Sequence, residues 1–69
     1  SSDLAVKNIN IRFANQQPKV VSIYNTIGEK IYSNQTSDGL LNIPFNSSGI
    51  YFLQVKDHQQ FYTKKIVIE

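Results

Sequence analysis

Ser48-Gly49-Ile50-Tyr51-Phe52-Leu53-Gln54-Val55-Lys56 carries the strongest strand signal in the chain. It opens at a turn glycine and then alternates. Tyr51, Leu53 and Val55 fall on one side, Ile50, Phe52, Gln54 and Lys56 on the other. A period of two with β-branched and aromatic enrichment marks a strand with one buried face. Gln54 and Lys56 make the second side the wetter one, so Tyr51, Leu53 and Val55 are expected to point into the core. A short turn at Asp57-His58-Gln59 leads to a second strand over residues 60–68, closing a C-terminal hairpin. The rest of the chain reads as partners for that hairpin.

Upstream, residues 4–13 are extended in character but change parity. Leu4 and Val6 share one side, while Ile9, Ile11 and Phe13 share the other, and a bend or bulge near Lys7-Asn8 would turn both sets inward. Asn15-Gln16-Gln17-Pro18 is a polar turn. Residues 19–24 resume the alternation, with Val21 and Ile23 inward and Val20, Ser22 and Tyr24 outward. Asn25-Thr26-Ile27-Gly28 connects to a return strand over residues 29–34, with Gly28 expected at positive φ and Ile31 inward between Lys30 and Tyr32. After a turn at Ser37-Asp38-Gly39, residues 40–45 place Leu41, Ile43 and Phe45 on one face. Pro44 lies on the other and marks an edge strand or a strand end. Asn46-Ser47-Ser48-Gly49 is the corner into the opening stretch. Turn signals recur about every 8 to 12 residues and no window has a helical period. The expected fold is all-β, two antiparallel sheets face to face, with six to seven strands depending on whether the first is split.

Size and composition narrow the function. Sixty-nine residues make one small domain of modest stability, with 41% hydrophobic content to supply its core. There is no cysteine, hence neither disulfide nor thiolate metal site. Net charge is +2, and the only basic doublet, Lys64-Lys65, is split between opposite faces by a strand, so no nucleic-acid footprint is expected. No apolar run approaches the roughly 20 residues of a transmembrane segment. Ser1-Ser2-Asp3 reads as a cut from a larger protein, with any secretory signal lying upstream.

Candidate chemistry is sparse. His58 is the only histidine and sits in a turn with Asp57 as its sole neighbouring ligand type, which suits a solvated residue better than a metal site. Asp3, Glu29, Asp38, Asp57 and Glu69 are scattered over turns and strand ends, whereas acid–base catalysis needs two groups at a set separation in a cleft. No nucleophile elbow surrounds any serine. Neither a catalytic residue nor a cofactor is therefore called for. Tyr24, Tyr32, Tyr62 and Phe52 fall on outward or mixed faces, and would form either a platform for rings or cross-strand packing. With no tryptophan present, packing is the better reading. Lys64-Lys65 reads either as a guard against stray strand pairing or as charge presented to a docking partner. A strand at the very end of the chain is free on one side, which also leaves room for a homodimer through that edge.

Three motifs in order carry a family resemblance. They are Val21-Ser22-Ile23-Tyr24-Asn25 followed by Gly28-Glu29-Lys30-Ile31, then Ser48-Gly49-Ile50-Tyr51-Phe52-Leu53-Gln54-Val55, then Thr63-Lys64-Lys65-Ile66-Val67-Ile68. Together they resemble the C-terminal sorting domain of type IX secretion cargo of Bacteroidetes, over roughly residues 9–69. The resemblance implies an immunoglobulin-like sandwich at the end of a larger secreted protein. It implies a non-catalytic address that takes cargo from the periplasm through the outer-membrane translocon, with its shuttle components, to the cell surface. A sortase-like peptidase would then cut upstream of the domain. The family's dependence on its extreme C-terminus maps onto Lys64, Lys65, Ile66, Val67, Ile68 and Glu69. Its glycine and aromatic positions map onto Gly28, Gly49 and Tyr51, read first as fold-critical. Two departures stand out. The family's opening Asn-Pro element is absent, so the chain would begin after it, and Asp57-His58 replaces the frequent hairpin glycine at a site where Asp tolerates positive φ. The competing expectation is an immunoglobulin- or fibronectin-like surface binding or spacer module retained in the mature protein.

Overall fold

Strands form where the alternation places them: β1 (Lys7–Arg12), β2 (Lys19–Tyr24), β3 (Lys30–Thr36), β4 (Leu40–Phe45), β5 (Gly49–Lys56) and β6 (Phe61–Ile68). These are the strands of a computed structural model that describes residues 7–45 and 47–69. The expected placements of Leu4, Val6 and Asn46 lie outside the described residues. Within them the strands make two antiparallel sheets, β1-β4 and β3-β2-β5-β6. The sheets face each other across one apolar core, as expected of an immunoglobulin-like β-sandwich.

The centre of that core is a cross-strand quartet. Val21 and Ile23 on β2 stand opposite Val55 and Leu53 on β5, and Ile43 of β4 closes on them from the other layer. Val21 and Ile23 are completely shielded from solvent. Burying each such side chain stabilises the fold by about 1.5–3 kcal/mol. Ile9, Ile11, Phe13, Leu41, Phe45, Tyr51 and Ile66 pack around the quartet. Period-two alternation alone puts these residues on the inner faces.

Three expectations need correction. Ile31 does not point inward; it is 45% exposed, and its neighbour Tyr32 packs against the core instead. Ile23 pairs with Tyr32 but Tyr24 pairs with Lys30, so Ile31 is the extra residue of a bulge that flips the parity of β3. β3 also runs to Thr36, because Gln35 and Thr36 find partners in Val20 and Lys19. No bulge interrupts β1 at Asn8: pairing with β4 is regular from Lys7↔Phe45 to Arg12↔Leu40.

The β2–β3 connection shows why its sequence is Asn25-Thr26-Ile27-Gly28-Glu29. The Asn25 side-chain oxygen accepts hydrogen bonds from the Ile27 and Glu29 amides at 3.2 and 2.9 Å. The Asn25 amide donates to the Glu29 carbonyl at 3.0 Å. Gly28 takes φ +87°, a conformation L side chains rarely adopt. Nothing lies within 4 Å of where its Cβ would be, so the demand is conformational and not steric.

Two measurements test this. Ile23→Ala is expected to cost about 2–5 kcal/mol in urea unfolding and Ile31→Ala within roughly 0.5 kcal/mol, the reverse of what unbroken parity would give Ile31. Gly28→Ala is expected to cost about 1–2 kcal/mol through backbone strain alone; an unchanged midpoint would refute the positive φ.

Candidate recognition site at the terminal strand

β6 is an edge strand. It pairs with β5 along one flank, from Gly49↔Ile68 to Lys56↔Phe61, and no described strand pairs with its other flank. Partners directly opposite in an antiparallel pair share a face. Lys64 lies opposite Leu53 and Tyr62 opposite Val55, so both lie on the inner, core-facing side. Lys65 lies opposite Phe52, on the outer side.

The inner side of β6 is nevertheless open. Leu53 is 4% exposed, whereas Tyr62, on the neighbouring strand and the same face, is 42% exposed. Lys64 and Lys65 are both exposed. The facing layer has only two strands, and its cover is lost between β5 and β6. What results is a groove of about 450 Å³ between the unpaired sides of β1 and β6, with Ile9, Ile11, Leu53 and Ile66 among its walls and Arg12 and Lys64 beside them. At its far end the strand is anchored, because Ile68 is buried and pairs with Gly49.

The start of β5 holds this end of the hairpin. Gly49 takes φ +143°, and the Tyr51 ring meets the Phe45 ring edge-on at 4.9 Å, joining the two sheets. The four aromatics read as a potential platform do not converge. Tyr24 and Phe52 are paired on the outer face, Tyr32 is on the inner face of β3 and Tyr62 is on the inner face of β6. Among the described residues no three His, Cys, Asp or Glu side chains gather as a metal site would need, and no helix is long and apolar enough to cross a membrane.

The kinship of this six-stranded sandwich comes from comparison with known families. The model of the secretion system C-terminal sorting domain matches residues 5–69. The chain belongs to that family. A sorting domain of this kind is a signal for type IX secretion, and its role is to direct export to the cell surface or beyond it. No curated protein and no solved structure matches the chain.

The opposite end of the sorting domain holds residues whose roles the alternation did not reveal. Lys19 is 3% exposed, on the inner face in line with Val21. Its ammonium donates to the carbonyls of Gln17 at 2.6 Å and Asn15 at 3.3 Å and stands 4.6 Å from the centre of the Phe13 ring. Its shared parity with Val21 and Ile23, at the head of an apolar run, was the available clue. Nearby, Asp57 organises the β5–β6 turn by accepting from the Gln59 and Gln60 amides at 2.8 and 2.7 Å. It does so without positive φ, which only Gly28 and Gly49 adopt among the described residues. The expected tolerance of Asp for that conformation is therefore not what the turn uses. His58 sits exposed beside it.

The Gln59 amide, aided by that of Gln60 and by the charges of His58 and Lys19, holds the Asp57 carboxyl below its ordinary pKa of 3.8, against a smaller opposing effect of burial. A depressed pKa gives stability that is present above the unfolded value and lost as pH falls through the folded one. The stability advantage of the wild type over Asp57→Asn is thus expected to shrink as pH is lowered below about 4. Parallel acid-unfolding curves would show that the charge plays no part in the turn.

Proposed function

We propose that β6, with Glu69, is the part of the sorting domain that the export machinery reads. In this reading the domain closes a larger secreted protein and acts without chemistry of its own. The translocon and its outer-membrane shuttle components recognise Lys64, Lys65, Ile66, Val67, Ile68 and Glu69 by strand edge and charge. A sortase-like peptidase then acts upstream of the domain once the cargo has passed from the periplasm to the surface. Gly28, Gly49 and Tyr51 serve the fold that presents the strand.

The observation that carries this reading is the open flank of β6 together with the exposure of both lysines. A terminal strand enclosed by neighbours would offer nothing to a partner. Edge strands are hazards that proteins guard, so one left unpaired among the described strands is a natural site for strand-by-strand recognition.

Deleting residues 64–69 is expected to strand the full-length cargo in the periplasm, but it also removes Ile66 and Ile68 from the packed interior. Lys64→Ala with Lys65→Ala separates recognition from folding, since both side chains are exposed and their loss should shift stability by no more than about 0.5 kcal/mol. Surface display is expected to fall while the circular dichroism spectrum stays unchanged. Normal display of that double variant would end the case for reading through the lysines.

A further inference from the structure

The groove between β1 and β6 has a composition that specifies its occupant. Its walls are apolar at Ile9, Ile11, Leu53 and Ile66, the charged residues along it are Arg12, Lys64 and, from the outer side of the same edge, Lys65, and no carboxylate lines it. It runs between two strand edges, each paired on one side only among the described residues. Such edges direct alternate backbone N–H and C=O groups outward, to be met by the backbone of an added strand.

Resting on the reading of β6 as the recognition element, we propose that this groove seats an extended acidic segment of a partner protein. The segment pairs along the free edge of β6 and sets carboxylates opposite Lys64 on the inner face and Lys65 on the outer, with an apolar side chain opposite Ile66. Its apolar side chains enter between Ile11 and Ile66, where the two-stranded layer leaves the inner face of β6 uncovered. Its carboxylates meet Arg12, Lys64 and Lys65.

Charge selects this occupant over a second copy of the chain. Antiparallel pairing of β6 with another β6 about its midpoint would set Lys64 and Lys65 of each copy against those of the other, and like charges directly opposite destabilise a strand pair. Lys64 on an inward face is likewise a barrier to apolar strands. An acidic strand turns that barrier into attraction, and the groove discriminates by the same residue that protects it.

The test uses the 69-residue chain with a fluorescent peptide repeating valine-glutamate-glutamate, which can set glutamates opposite both lysines and valine opposite Ile66. Controls are the same peptide with lysine for glutamate, one with proline at alternate positions, and vesicles of anionic phospholipid. The acidic peptide is expected to bind, to move the amide resonances of residues 9–12 and 64–67, and to weaken with salt. Lys64→Glu with Arg12→Glu is expected to weaken it roughly tenfold and to favour the lysine peptide. Should that variant not fold, the salt titration and the two control peptides decide on the wild type.

Equal binding of acidic and basic peptides, indifference to proline, or resonance shifts confined to other edges would overturn the proposal. So would binding to the vesicles with none to the peptide, or self-association through β6 that excludes it. Export assays keep the two readings apart. Acid-selective binding in a chain whose lysine variants are still displayed refutes the sorting role of β6 alone. Lysine-dependent display without any acidic-peptide binding refutes the groove alone.

Discussion

The pairing of β2 with β5 is the constraint on which the rest of the domain depends. Val21 against Val55 and Ile23 against Leu53 form an apolar square in which all four side chains are buried, and Ile43 seals it from above. β3 and β6 are added on either side of this pair, and β1 with β4 lie across it. Both hairpins are local, whereas β2 and β5 are far apart in the chain. Their meeting therefore requires the two hairpins to dock, and it is the burial of these side chains that makes docking favourable. A small domain with no disulfide has little else to hold its layers together.

The free edges of the sandwich are guarded by different means. β4 carries Pro44, which cannot donate to a neighbouring strand. β3 ends in polar residues from Ser33 to Thr36. β6 has neither a proline nor a polar run; its protection is Lys64 on the inner face and Lys65 on the outer. Proline closes an edge to every partner, while lysine closes it only to apolar or basic ones. On the proposed reading, β6 is thus an edge whose guard permits selection. Its anchoring at Ile68 keeps the strand in register with β5 while its other flank stays open.

Particular residues show how far the chain could be read unaided. The inward sets Tyr51-Leu53-Val55, Val21-Ile23 and Leu41-Ile43-Phe45 were legible because each strand's own alternation declares its buried face. Gly28 was legible because a short connection between strands needs positive φ and glycine adopts it readily. Ile31 was misassigned because a bulge belongs to a pair of strands; nothing inside residues 29–34 says that Ile23 will align with Tyr32 and Tyr24 with Lys30. Lys19 received no role because its value lies in carbonyls four and two residues away that only the folded loop brings to its ammonium. For the candidate site, the lysine doublet and its terminal position were visible, but Arg12 was not, since it arrives from the other layer.

The all-β class, the hairpins and the turn glycines could be read from the chain alone because each depends on neighbours within a few residues, and the family because three such motifs recur in a set order. That Lys64 and Lys65 face opposite ways also follows from strand geometry alone. Which of them faces inward was decided only by the register of β6 on β5. Whether that inward lysine is buried or offered was decided only by the two-stranded facing layer, whose cover is lost before it reaches β6. Local chemistry sets how each strand alternates, but exposure depends on what lies across the sandwich, and that is a property of the assembled layers.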